Sequence, residues 1–107
     1  MPDSECMRIR LKTGMTDKFI GWAKQLPNRM NEVEDGMREQ GVIAEHIFLE
    51  RCSDGDFIVF YVKSDDLART RDIFQRSQRK IDLEFKEIVD ETWDRSQVSR
   101  LELVMEL

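Results

Sequence analysis

Three features of the sequence predict an α+β sandwich of ferredoxin-like βαββαβ topology, with a four-stranded antiparallel sheet and helices on one face. Strand-like alternation occupies both ends of the chain. An Asp-Gly turn joins two extended apolar runs in the middle, and two stretches with apolar residues three and four apart separate the strands. The 107 residues are enough for one domain, residues 1–107, around a single core.

The first strand is expected over residues 5–12. Met7, Ile9 and Leu11 lie on one side of its pleat and Cys6, Arg8, Arg10 and Lys12 on the other, because successive side chains point to opposite faces. Thr13-Gly14 ends it, and Thr16 stands as the N-cap of a helix with Asp17 at its positive end. Phe19, Trp22, Ala23, Leu26, Met30, Val33 and Met37 form one apolar stripe. Pro27 lacks the amide a continuous helix needs, so a kink or break is expected near Leu26. Gly41 closes the helix.

Residues 42–52 and 57–63 read as a hairpin around Ser53-Asp54-Gly55-Asp56, since Asp and Gly tolerate the positive φ of a tight turn. Its helix-facing side carries Ile43, Glu45, Ile47 and Leu49 on one strand and Ile58, Phe60 and Val62 on the other. Ser64 is the expected cap of a second helix through Leu67, Thr70, Ile73, Phe74 and Ser77. Ile81, Phe85, Ile88, Val89 and Trp93 continue the spacing as an extra helical segment, either the same helix prolonged or a separate one capped by Asp82. The last strand is expected over residues 98–107, with Leu101, Leu103, Met105 and Leu107 on one face and Arg100, Glu102, Val104 and Glu106 on the other.

This topology places strands one and three at the centre, expected as a parallel pair, with strand four beside one and two beside three. The outer sheet face then carries Arg8 and Arg10 centrally, Glu102 and Glu106 next to them, and Tyr61 and His46 on the far flank. Phe48, Phe57, Val59 and Val104 are interspersed among these charges, a mixture expected to be covered by a partner sheet in a homodimer. Arg8, Arg10, His46, Tyr61 and Glu102 are the candidate ligand-binding residues of the polar pocket between the sheets. Arginine forks suit a carboxylate or phosphate, and His46, the sole histidine, titrates near neutrality. Each also has a plain structural role, the arginines pairing with Glu102 and Glu106 and the rings filling an interface. Arg69, Arg71, Arg76, Arg79 and Lys80 read as a solvated helix face.

The formal net charge of -5 opposes general nucleic-acid or anionic-membrane binding. No apolar run reaches the roughly 18 residues of a membrane span, and the first residues lack the pattern of a secretory signal, so a cytoplasmic location is expected. Cys6 and Cys52 fall on different strands, about 10 Å apart across the intervening one, too far for a disulfide. With no CxxC and one histidine, neither a metal site nor a cofactor is expected.

Lys12-Thr13-Gly14-Met15-Thr16-Asp17-Lys18-Phe19, Gly41 through Phe48, and Asp54-Gly55-Asp56-Phe57 together resemble the layout of the dimeric α+β barrel superfamily, over roughly residues 5–75. The resemblance is to small bacterial members of no known activity and, more distantly, to the rhamnose mutarotases. It implies two sheets packed face to face in a homodimer. Mutarotases of this type carry a histidine two residues before a helix proline, where Gln25-Leu26-Pro27 has glutamine, which cannot relay protons. The superfamily's monooxygenases use an asparagine on the first strand, where Arg8 and Arg10 stand. The favoured expectation is therefore a dimeric barrel that binds a small polar or anionic organic molecule. A cofactor-independent isomerase or monooxygenase using His46 and Tyr61, and a ligand-free structural homodimer, are the alternatives.

Overall fold

The structure, a computed structural model, describes residues 2–107. Four strands, β1 (Asp3–Leu11), β2 (Val42–Cys52), β3 (Gly55–Ser64) and β4 (Trp93–Leu101), form one sheet in the order β2-β3-β1-β4. Four helices, α1 (Thr16–Ala23), α2 (Met30–Gln40), α3 (Leu67–Arg76) and α4 (Lys80–Thr92), cover one face, with α1 against α4 and α2 against α3. The ferredoxin-like α+β fold is thus the one the alternation predicts. One expectation about the central pair is corrected: β1 and β3 run antiparallel. The α1–α2 crossover leaves β2 parallel to β1, and the hairpin then reverses β3.

Pro27 does break the first helical stretch, through a 3-10 turn at Leu26–Arg29, as its missing amide requires. Gly41 ends α2 at φ 73°, a left-handed value that costs glycine little. Two caps differ from expectation. Thr16 turns its hydroxyl to the Asp56 carboxylate at 2.8 Å instead of capping α1. Asp66, not Ser64, caps α3 by accepting from the Arg69 amide at 3.2 Å. The segment after α3 is a separate helix, α4, because Ser77 and Arg79 adopt extended backbone. Asp82 lies in the first turn of α4, and its N-cap position is Arg79.

Two register irregularities decide which side chains face the helices. A bulge between Val42 and Ala44 leaves Ile43 half exposed and not inward as its alternation suggests. The second is larger. β4 follows α4 without a loop, so Trp93 begins the strand opposite Leu11, and the last strand is Trp93–Leu101 rather than 98–107. Arg10 pairs with Asp94 but Ile9 with Val98, so residues 95–97 are extra. Asp94 nucleates this excursion by accepting from the Ser96 amide at 3.0 Å and its hydroxyl at 2.6 Å. An odd insertion flips every later side chain. Val98 and Arg100 therefore share the helix face with Ile9 and Met7, and Leu101 turns outward beside Cys6.

The tight core gathers where α1 and α4 meet β1 and β3: Leu11, Phe19, Ile58, Ile88 and Val89. Ile58 has no exposed surface. We expect Ile58→Ala to lower the unfolding free energy by about 2–5 kcal/mol, read as a shift of the urea midpoint without a change in slope.

Candidate functional site

The inner sheet face changes character along the strands. Leu49, Ile58, Ile9 and Val98 form one row across the ladder, and Ile47, Phe60, Met7 and Arg100 the next. The third row is Glu45, Val62 and Glu5. Directly opposite residues in antiparallel strands share a face, so the apolar floor passes into an acidic one toward the start of β1.

Above the second and third rows the helices leave a cavity of about 580 Å³. Its apolar end is walled by Trp22, Phe60, Phe74, Phe85 and Trp93, with Leu26 and Pro27 of the 3-10 turn above them. These rings form one tilted and edge-on cluster: Phe85 lies 5.4 Å from Trp22, 5.8 Å from Phe74 and 5.9 Å from Trp93, centroid to centroid. The Trp93 indole N–H is buried and has no partner. Arg29, in the 3-10 turn, grips Glu84 of α4 through two hydrogen bonds at 2.7 and 2.9 Å and Glu32 of α2 through two at 2.6 and 3.1 Å. The guanidinium holds both carboxyls below their usual range. This ties the roof of the cavity to two helices.

The acidic end is uneven. Glu5, although nearly buried, accepts from Arg71 of α3 and, at 2.5 Å, from Arg100. Asp82 of α4 accepts at one oxygen from Ser77 at 2.5 Å and Gln40 at 3.2 Å. Glu45 has no such partner. Its side chain is exposed onto the hollow, and partial desolvation by the surrounding walls, with the nearby Asp82 charge, pushes its carboxyl pKa up.

The residues singled out in sequence lie mostly on the opposite face. Arg8 stacks over the Phe57 ring at 3.6 Å, bonds Glu50 at 2.7 Å and approaches the Cys52 sulfur at 3.9 Å. Arg10 lies 5.5 Å from the same ring and donates to the Asp54 carbonyl. The arginines thus do pair, but across β3 with the hairpin and not with Glu102 and Glu106. His46 and Tyr61 are cross-strand neighbours with ring centroids 5.9 Å apart, beside the exposed Phe48. They lie on an open surface. Glu102 lies just beyond the end of β4, and Glu106 reaches Lys63 at 3.9 Å. Arg76 and Arg79 pair with Asp72 and Glu39, as a solvated face would, whereas Arg71 lines the cavity and pairs with the nearly buried Glu5. Both cysteines are free. Among the described residues no group of three or more histidine, cysteine or acidic side chains is placed to hold a metal, and no helix is long and apolar enough to cross a membrane.

Sequence reasoning passed over the cavity. The signal available was a single acid on the helix-facing side of two strands: Glu5 before Met7, Ile9 and Leu11, and Glu45 between Ile43 and Ile47.

The Glu45 shift has a definite sign. A carboxyl whose folded pKa is raised binds its proton more tightly in the folded state, so it lowers stability as pH rises from the unfolded value, about 4.3, through the folded one. We expect Glu45→Gln to raise the melting temperature at pH 7 and to leave it unchanged near pH 3.5. For Glu32 and Glu84 the sign is opposite: their contribution is present above about pH 4.3 and is lost as pH falls through their depressed values. In Arg29→Met the acid-induced loss of stability between pH 5 and 3 is expected to be smaller than in the native chain, as followed by circular dichroism.

Comparison with known proteins supports the architecture and leaves the chemistry open. The chain is similar in structure to Rv0793 from Mycobacterium tuberculosis at 15% identity and TM-score 0.60, the match covering 99% of this chain and 98% of that one. It is similar to the L-rhamnose mutarotase FA22100 from Formosa agariphila at 14% identity and TM-score 0.58, covering 98% of each. At such identities the likeness is one of fold. No curated protein matches the chain. A family model, described as a family of unknown function, DUF6176, matches residues 2–107, and the chain belongs to that family.

Proposed function

We propose that this protein binds a small organic molecule in the cavity between its helices and the inner sheet face. The carrying observation is the hollow itself: about 580 Å³ walled by five aromatic rings. That volume lies in the range of ligand pockets, roughly 300–1,000 Å³. A ring-sized apolar body fits the end lined by Trp22, Phe85 and Trp93. The unpaired Trp93 N–H adds a reason for a polar atom on the ligand, since an unmet buried donor costs about 1–3 kcal/mol. This reading moves the site to the other face of the sheet from the pocket expected between two sheets.

A second reading, compatible with the first, concerns assembly. The outer face exposes Phe48 and Leu101, and the chain beyond β4 exposes Leu103, Val104, Met105 and Leu107. Such a surface supports a twofold homodimer through the sheets, burying at least about 1,200 Å². Arg8, Arg10, His46 and Tyr61 would lie in its seam, where they would bind a small anion or simply fill the contact.

The only two tryptophans both line the cavity, so intrinsic fluorescence reports occupancy directly. We expect 2-naphthylmethanol to quench it saturably, and Ala23→Phe, which fills the hollow from α1, to weaken binding at least about tenfold. Absence of saturable quenching up to millimolar probe would exclude the cavity as a binding site. For assembly, sedimentation at micromolar concentration should give a dimer for the native chain and a monomer for Phe48→Asp. A native monomer overturns the sheet-to-sheet arrangement.

A further inference from the structure

The polar end of the cavity is chemically lopsided. Three acidic side chains line it, Glu5 from β1, Glu45 from β2 and Asp82 from α4, against one cation, Arg71 from α3. Arg71 is already committed to Glu5, which Arg100 also pairs. Asp82 is held by two neutral donors, Ser77 and Gln40. Of the three, Glu45 alone has neither a cation nor a hydrogen-bond donor on its carboxyl, and it lies near the like charge of Asp82.

From this arrangement we infer that the cavity selects a compound with a ring-like apolar body and an ammonium head, and that Glu45 sets that preference. The inference rests on the cavity being the binding site. A carboxylate on the wall of an apolar cavity with no counter-charge beside it is costly to ionise, and an incoming ammonium supplies both the opposite charge and the donors that the oxygens lack. An anionic head meets the reverse situation: two carboxyls repel it, and the guanidiniums of Arg71 and Arg100 are both paired with Glu5. A neutral hydroxyl can bond to Glu45 but leaves its charge uncompensated. The geometry suits a molecule lying along the inner face. Glu45 sits one row beyond Ile47, which itself lies opposite Phe60, so a ring on Phe60 and Phe85 has its substituent within reach of Glu45 across one row, ~7 Å for the two residues separating same-face neighbours.

Three probes with one ring system separate the possibilities by tryptophan quenching at pH 8: 2-naphthylmethylamine, 2-naphthylmethanol and 2-naphthoate. The amine is expected to bind at least about tenfold tighter than the alcohol and the carboxylate more weakly than either. In Glu45→Gln the amine should fall to the alcohol's affinity while the alcohol changes by less than about twofold. Equal binding of amine and alcohol in the native chain, tighter binding of the carboxylate, or an amine preference that survives Glu45→Gln would each overturn the assignment while leaving the cavity reading intact. Failure of all three probes to quench removes the cavity reading and this inference with it. Should Glu45→Gln not fold, the ranking in the native chain decides, and Glu45→Asp, with a shorter reach, should narrow the preference without reversing it.

Discussion

The antiparallel register of β1, β3 and β2 is the constraint on which the site depends. It aligns Glu45, Val62 and Glu5 across three strands in a single row on the helix face. A slip of one residue in either ladder would send a carboxylate to the outer face and an outer residue inward. The hairpin guards against such a slip: Gly55 takes φ 147°, a conformation side chains with a Cβ avoid, and the Arg10 guanidinium packs where that Cβ would stand. The turn that sets the register therefore also accommodates the outer-face arginine.

The cavity exists because the helical layer is interrupted where the floor turns polar. Pro27 divides what would be one long helix, and the 3-10 turn lifts Leu26 and Pro27 over the aromatic cluster. An uninterrupted helix would carry its stripe straight down onto Ile47 and Phe60. Arg29 then fixes the broken segment to α2 and α4, four hydrogen bonds from one planar fork. These groups are partly exposed to water, which screens them, so their net contribution to stability is modest. Their effect is geometric, holding the roof at a fixed height. The two faces of the sheet thus differ in kind. On the outer one Arg8 lies flat on Phe57 and is tied to Glu50, leaving a surface without depth.

Most of the fold was legible in the sequence because it rests on local signals: alternation in β1 and β3, the Asp54-Gly55 turn, Pro27 and Gly41. What was not legible depends on pairing. Leu101, Leu103, Met105 and Leu107 alternate with Glu102 and Glu106, yet alternation states only that a segment would be amphipathic if extended, and not that a strand lies beside it. The Asp94-Ser96 turn that displaces β4 leaves no mark on the apolar pattern of the chain end. Ile43 failed in the same manner, its alternation intact and its register interrupted by a bulge.

The site was missed for a related reason. Reading strands by their apolar majority sends attention to the charged face, where Arg8, Arg10, His46 and Tyr61 stand out. Polar groups on a sheet surface in contact with water are ordinary, whereas a single acid on an otherwise apolar strand face must find a cation, a donor or a cavity. Glu5 finds two arginines and Asp82 two neutral donors, and those pairings could not be foreseen from spacing. Glu45 finds neither. Its neighbours Ile47 and Val62 are part of the floor of the hollow, so the one acid of this row that the fold leaves without a partner sits where a ligand has room to provide it.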